Sequence, residues 1–495
     1  MIGRTNILLF MVDQVMVSTL RAYGGKLCQT PNLNRLAEEG LVFDRAYTTS
    51  SLCSPARASV FTGVLPHRHG ILNNVTNASY GRPELSEEQP VLSQELNRAG
   101  YACGYYGKWH IGIEKGPVDY GFSGTAYPGY GLPSDFVAEY DDFLKRNGHA
   151  GLEYINVSKI KSGTPLNKVH LPFNHPDNPE IGCECYSGVI DVPSELSPSG
   201  YIAQESIEYL RKHKEDPFFL VSAFWGPHHP ALPSPEFAGT HDPSLIPEWP
   251  NYNDDLSDKP RIQSRYVKNL HRTLDRDGWA GWQEIVAAHF DFMSMIDAQI
   301  GRVLDELAQL GLDKNTIVIF TSDHGDTLGC HGGQWDKGPY MYEETYRVPL
   351  IVRGPGIRAG RHNSSLVSNM DLFATVLDQA GVSVAGTTDS ISLRPIMQGD
   401  KETVRDCLVG EFHGFDSRGS FLQRMLLKDN LKYIYNPSDY DELYDLQKDP
   451  DELKNRINDP SYQQAAQVLK KALTAEMTRT KDPFAPFAGA LMGLE

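Results

Sequence analysis

The chain has 495 residues, of which 40 % are hydrophobic and 22 % charged. Those proportions exclude a wholly disordered chain, a collagen and a membrane bundle. Lys+Arg total 46 against 63 Asp+Glu, a net charge of −17. That balance argues against sequence-independent nucleic-acid binding, although a single cleft can still be basic.

Ile7 to Val12 is a continuous apolar run ending in Asp13-Gln14, the pattern of a strand buried on both faces. It is far too short to span a bilayer, and no small-residue cleavage site follows it. The expectation is a cytoplasmic protein without an export signal or membrane anchor, in which the Asn-x-Ser/Thr triplets at Asn74, Asn77, Asn156 and Asn363 are chance matches. Three later runs repeat the design: Tyr101 to Tyr106, Phe218 to Phe224 and Thr316 to Thr321. They end at Gly107-Lys108-Trp109-His110, at Trp225-Gly226-Pro227-His228-His229-Pro230, and at Ser322-Asp323-His324-Gly325-Asp326. Helical patterns separate them, the clearest from Ile285 to Leu307 and closed by Gly311.

Strands alternating with helices predict an α/β fold with a large, mostly parallel sheet sandwiched by helices. Ligands of such sheets bind beyond the carboxyl ends of the strands, so the polar tips should converge. Residues 1–400 form the expected catalytic unit. Two stretches, about 114–198 and 231–278, read as long loops or insertions beside the cleft. Residues 401–495 read as a smaller α+β subdomain with an antiparallel sheet: strands at Cys407–Phe412, Gln423–Leu427 and Leu431–Tyr435, then a helix from Tyr462 to Met477.

The strongest local signal is Cys53-Ser54-Pro55-Ala56-Arg57 followed by Ala58-Ser59 and Thr62-Gly63. From the residues alone, Cys53 is either a buried thiol before a helix with Pro55 in its first turn, or a reactive thiol whose pKa a helix N-terminus lowers. Seven cysteines do not make a disulfide scaffold in this length, and Cys183 and Cys185, one residue apart without a second pair, are weak evidence of a metal site.

Cys-x-Pro-x-Arg with Ala-Ser-x-x-Thr-Gly resembles the signature of type I sulfatases, members of the alkaline phosphatase superfamily. The likeness continues in order through Thr30-Pro31-Asn32-Leu33, Gly107-Lys108-Trp109-His110, Ser322-Asp323-His324-Gly325-Asp326, Val348-Pro349-Leu350-Ile351 and Asp441-Glu442-Leu443-Tyr444. Cys103 departs from it, where the family usually has Ser or Thr. The resemblance implies an alkaline phosphatase-like fold and a sulfatase acting on an organic sulfate monoester, a small saccharide or aryl sulfate. It implies that a formylglycine-generating or radical maturation enzyme oxidises Cys53 to formylglycine. It also implies one divalent metal held by Asp13, Gln14, Asp323, His324 and the modified Cys53. Oxygen donors suit Ca²⁺ first; Mg²⁺ remains open, and an imidazole at position 324 moves the preference slightly toward Mn²⁺. Arg57 would hold the formylglycine hydroxyl and the metal-side charge, and Lys108 and Lys337 would bind sulfate oxygens. His110 would be the base for sulfate release. His228 would contact the sulfate and leaving oxygen, with His229 its neighbouring alternative.

The chemistry fits the residue types. Sulfate esters need a nucleophile, cationic stabilisation of spread charge and an acid for the leaving alkoxide. A hydrated aldehyde has two hydroxyls on one carbon: one attacks sulfur, and the other expels sulfate on losing its proton. The near alternative is a phosphonate monoester or phosphodiester hydrolase of the same superfamily, with choline sulfatase weaker for want of a cation cage; Gly-Lys-Trp-His favours sulfate. A non-catalytic metal-binding scaffold would have no use for so complete a set. A basic cluster of Lys259, Arg261, Arg265, Lys268, His271 and Arg272 reads as a solvated helix face or as a rim drawing in anions. Trp249, Tyr252, Trp279 and Trp282 pack the insertion or stack on a substrate ring. A homo-oligomer is compatible with all of this.

Overall fold

The computed structural model describes residues 4–75, 80–127, 137–152, 154–159, 165–169, 185–265, 267, 278–384, 386–414, 421–437 and 439–494. Its centre is an eight-stranded sheet. Numbered in chain order, the strands are β1 (Asn6–Asp13), β2 (Leu41–Phe43), β3 (Ala102–Lys108), β4 (Ala126–Tyr127), β5 (Phe218–Pro227), β6 (Thr316–Ser322), β7 (Leu350–Arg353) and β8 (Arg361–Asn363). Their spatial order is β8-β2-β7-β6-β1-β5-β3-β4. Every pairing is parallel except the two made by β7.

The apolar runs explain this arrangement. All residues of β1 are buried, because the strand is covered on both faces. Side chains alternate between faces, so Leu8, Phe10 and Val12 enter one core while Ile7, Leu9 and Met11 enter the other. The first core contains the long Trp279–Gln309 helix and the Pro198–Lys212 helix; the second contains the Cys53–Thr62 and Leu372–Gln379 helices. Consecutive neighbours β6, β1, β5 and β3 run parallel, so their carboxyl ends lie along one edge.

A four-stranded antiparallel sheet follows: β9 (Cys407–Phe412), β10 (Gln423–Lys428), β11 (Leu431–Tyr435) and β12 (Glu442–Asp445). The Gln463–Arg479 helix packs on one face of it through Leu469, Leu473 and Met477. The other face meets Tyr47, Leu52, Tyr340 and Tyr346 of the larger unit. Leu52 directly precedes Cys53, so the smaller sheet backs the start of the signature helix.

The stretch 114–198 is not simply a loop. It carries the Val137–Arg146 helix and a three-stranded antiparallel sheet of Tyr154–Lys159, Pro165–Val169 and Cys185–Ile190. Cys185 opens one of those strands, and Cys183 lies outside the described residues. Among the described residues, no helix is long and apolar enough to cross a membrane.

Candidate active site

Each strand end delivers one part of the site. β1 ends in Asp13 and passes to Gln14, and β6 ends in Ser322 and passes to Asp323-His324. β3 ends in Lys108, followed by buried Trp109 and His110. Trp109 packs with Phe61 and Tyr105 in one of the two sheet cores, an anchor between Lys108 and His110. Gln14 and His110 have φ of 65° and 56°, left-handed values that non-glycine residues adopt at a cost of about 1–3 kcal/mol. Asp336, beside Lys337, is a third such residue, with φ 66°.

Cys53 opens the Cys53–Thr62 helix, whose ten residues are all buried. Arg57 stands one turn further on, the i, i+4 spacing that puts two side chains on one face. Gly63, with φ 69°, stops the helix, and a Cβ there would run into the Phe373 ring. Arg57 Nε donates to Asp323 Oδ2 at 2.7 Å, Nη2 to Asp13 Oδ2 at 3.1 Å and Nη1 to the Lys108 carbonyl at 2.8 Å. One guanidinium thus ties together three of the strand ends. Burial opposes its charge, but Asp323 and Asp13 outweigh that and push its pKa up. Burial likewise opposes ionisation of Asp13, while the Lys108 and Arg57 charges hold its carboxyl well below the ordinary range.

Arg57 occupies the outer oxygens of both carboxylates. Their Oδ1 atoms face the cluster, each 3.9 Å from His324 Nε2, and Asp323 Oδ1 also accepts the His324 backbone N–H at 2.9 Å. Cys53 Sγ lies 3.1 Å from that nitrogen and 3.9 Å from Asp13 Oδ1. One donor atom from each of Asp13, Cys53, Asp323 and His324 lies within 4.8 Å of the others. His324 Nδ1 sits 2.9 Å from the Gly325 carbonyl, which accepts only, so Nδ1 carries a hydrogen and Nε2 faces the cluster. A backbone carbonyl fixing one imidazole nitrogen is the usual support for a metal-binding histidine. Burial lowers the pKa of His324, but Asp323 and Cys53 outweigh it and push it up to about 9, so a proton sits where a cation would displace it. Two carboxylate oxygens and an imidazole therefore fit a divalent cation.

Around this centre stand the expected cations. Lys108 Nζ contacts Asp13 Oδ2, is 3.5 Å from Cys53 Sγ, and lies 4.3 Å above the Trp225 ring. Lys337 Nζ bonds Asp336 at 3.0 Å, Gln14 Oε1 at 2.5 Å and His228 Nε2 at 3.1 Å. His228 Nδ1 faces the His229 carbonyl at 2.7 Å, so Nδ1 carries the hydrogen and Nε2 is the acceptor. His228 and His110 are both held well below the ordinary imidazole pKa, first by burial and then by neighbouring lysines, so both are neutral bases. His229 lies beside them, its Nδ1 3.5 Å from Gln14 Nε2.

Gln14 belongs to the site in an additional way. Its backbone N–H donates to Asp323 Oδ1 at 3.2 Å, and its Nε2 donates to Asp326 at 2.6 Å and Asp336 at 2.8 Å. Only an oxygen can accept from Lys337 and only the NH₂ can serve two carboxylates, so this network fixes the amide orientation. Burial and the Asp336 charge push Asp326 up to about 7, whereas Lys337 outweighs burial and holds Asp336 below the ordinary range. Sequence reasoning gave no role to Asp326, Asp336, Trp225 or Asn369. Asp326 closes the Ser322-Asp323-His324-Gly325-Asp326 motif, and Asp336 adjoins Lys337. Asn369, which donates to the Ser322 and Asp323 carbonyls, had no local signal.

The basic cluster does not form one rim. Lys259 is buried and bonds the Tyr444 hydroxyl and the Glu452 carbonyl of the smaller unit, because the 231–278 stretch is strapped onto that unit. Arg261 and Arg265 are exposed; Lys268, His271 and Arg272 lie outside the described residues. Trp249 and Tyr252 pack edge-on against Trp279, at 5.5 and 5.0 Å, and fix the insertion to the long helix.

A doubly covered, mostly parallel sheet with a carboxylate–arginine–cysteine centre at its strand ends defines an alkaline phosphatase-like hydrolase. The family model "Sulfatase" matches residues 5–382, and "N-sulphoglucosamine sulphohydrolase, C-terminal" matches residues 329–479. The chain belongs to the sulfatase family and is a hydrolase of sulfate esters. It is 29 % identical to an arylsulfatase of Clostridium perfringens, over 96 % of this chain and 94 % of that one. It is 24 % identical to an N-acetylglucosamine-6-O-sulfatase of Bacteroides thetaiotaomicron, over 97 % of this chain and 87 % of that one. The fold is shared with a phosphonate monoester hydrolase of Agrobacterium radiobacter, with a TM-score of 0.78 and 22 % identity over 96 % of both chains.

Proposed function

We propose that the chain removes sulfate from a small carbohydrate sulfate, using a formylglycine formed from Cys53 by a maturation enzyme. The observation that carries this reading is the placement of Cys53 Sγ, within 3.5 Å of both Lys108 Nζ and His324 Nε2 and beside Asp13. A hydrated aldehyde at residue 53 would supply the hydroxyl that attacks sulfur, with the Asp13 carboxylate beside it to take that hydroxyl's proton, and the Lys337–His228 pair is placed to protonate the ester oxygen as it leaves as the alcohol. Lys108 and Lys337 meet the charge that develops on the sulfate oxygens. Neutral His110 would be the base for the second hydroxyl, whose loss of a proton would supply the push that releases sulfate and restores the aldehyde. Arg57 holds Asp13 and Asp323 aligned through one ion pair to each.

Asp13, Gln14, Asp323, His324 and residue 53 would hold the divalent cation, which when bound polarises the sulfate oxygens and the attacking hydroxyl. Calcium is our assignment for that cation, on the two hard carboxylates. Elemental analysis that finds calcium near one per chain, with activity lost on chelation and regained with calcium, supports it; recovery with manganese alone contradicts it.

The carbohydrate leaving group is supported by the N-acetylglucosamine-6-O-sulfatase relative. A panel of sulfated mono- and disaccharides, assayed beside an aryl sulfate and a phosphonate monoester, tests the reading. The expected result is the highest kcat/KM on a saccharide sulfate. A preference for the phosphonate would instead select the phosphonate monoester hydrolase alternative.

A further inference from the structure

Near the end of β5, one side chain touches two of the groups proposed to face the sulfate. The Trp225 ring lies 4.3 Å beneath Lys108 Nζ and 4.6 Å from the His228 ring. An ammonium has three N–H directions. At Lys108 the neighbours are Asp13, the Cys53 sulfur at 3.5 Å and the indole face. An oxygen acceptor in place of the indole would hold one N–H in every state of the reaction. A π face attracts the charge but offers no lone pair in competition with a sulfate oxygen. Lys108 is fully buried, whereas Trp225 keeps 6 % of its surface exposed, so the indole is part of the shell that keeps water off the ammonium. The attraction is strongest when the cation is desolvated in this way.

We propose that Trp225 is a positioning residue for the reaction: its indole face holds the Lys108 ammonium by a cation–π contact and aims it at the residue-53 nucleophile and the bound sulfate. The proposal rests on the reading that Lys108 meets the sulfate. It adds a cause for the aim of that lysine, and it makes the electron density of a neighbouring ring part of the rate.

The test is a series of site-specifically incorporated mono-, di- and trifluorotryptophans at position 225, with Trp225→Phe and Trp225→Leu beside them. Fluorine withdraws density from the ring face while nearly preserving its shape, so folding is retained where Leu could lose it. The same series at Trp282 is the control. That residue is buried in the neighbouring aromatic cluster, and among the described residues no cation lies over its ring. Lys108→Ala is measured in parallel. The expected result is a stepwise fall of kcat with each fluorine at 225, on the order of tenfold across the series, with little change in KM. Trp225→Phe should lie above Trp225→Leu, and the Trp282 series should be flat. A flat series at 225, with Lys108→Ala severely impaired, overturns the proposal and leaves the reading of Lys108 standing. Near-normal turnover of Lys108→Ala overturns that reading and this proposal with it.

Discussion

Lys108 and Arg265 put the same unit charge in two different dielectric settings. Lys108 is buried against Asp13 and the Cys53 sulfur, whereas Arg265 is exposed on the insertion. A cation that meets developing charge in a dry site is worth several kcal/mol, roughly 10²-fold or more in rate. A rim cation in water contributes about 1 kcal/mol or less and is screened by salt. Lys108→Ala is therefore expected to lower kcat by about 10²-fold or more. Arg265→Ala should mainly raise KM, and less so at high salt; steady-state kinetics at two ionic strengths separates the two. A larger kcat defect in Arg265→Ala would place the insertion inside the sulfate pocket. At this scale the sequence was legible wherever a residue sat in a motif at a strand tip, as Asp13, Lys108 and Asp323 do, or opened the signature helix, as Cys53 does. Asp336, Trp225 and Asn369 were not, because each acts through a contact with a residue distant in the chain: Gln14, Lys108 and Asp323 respectively. Lys259 misled for the same reason, since a lysine in a polar stretch looks solvated until its Tyr444 partner is seen.

Strands buried on both faces announce themselves as unbroken apolar runs, and β1, β3, β5 and β6 lie within a few residues of their expected limits. β7 and β12, four residues each, are too short for a period to show. Within 114–198 the strand Pro165–Val169 is hidden because its five residues open on a proline and show no clear apolar alternation. Contacts between elements are less legible still, and one of them carries a pH dependence. His67, in the short Pro66–His69 helix after the signature helix, places Nδ1 2.5 Å from Glu411 Oε1 on β9 and Nε2 3.0 Å from the Thr480 carbonyl. Both partners accept only, so the ring carries both hydrogens. Burial opposes that charge, but Glu411 outweighs it and raises the pKa to about 8. The unfolded value is about 6.5, so the proton binds the folded state more tightly. Its stabilisation is complete below about pH 6.5 and is lost as pH rises through about 8, a change of about 2 kcal/mol. The difference in unfolding free energy between wild type and His67→Gln should shrink by about that amount between about pH 6 and 9. A pH-independent difference in denaturant titrations would contradict the assignment.

Over the whole molecule, the larger sheet presents the chemistry and the smaller sheet braces it from behind. The two share one apolar core, in which Leu52, Tyr340 and Tyr346 meet Leu408, Met425 and Ile434. Buried Lys432 of the smaller unit bonds Glu343 of the larger and Glu452, each at 2.8 Å. We propose that residues 401–495 are a subdomain dependent on this contact rather than an independent unit. A chain ending at residue 400 would expose that core and leave Glu343 without its buried cation. It is expected to aggregate or to melt well below the full chain in calorimetry, and an unchanged melting temperature would count against the proposal. The same brace explains why the sequence divides by texture near residue 400 while the structure is continuous there: apolar residues on one face of β9 to β11 look like an ordinary sheet core until their partners are known to be Tyr47 and Leu52.

The proposed cycle turns on residue 53 working as an aldehyde hydrate in the hydrolysis of a sulfate ester. The mass of the peptide containing position 53, from protein produced alongside its maturation enzyme, tests it most directly, together with sulfate release by the same preparation and by Cys53→Ala. The peptide should be about 18 Da lighter than the thiol form, from cysteine becoming formylglycine. Sulfate release should scale with the fraction of that peptide and be absent in the folded Cys53→Ala variant. An unmodified thiol in fully active enzyme, or turnover that survives in Cys53→Ala, would contradict it.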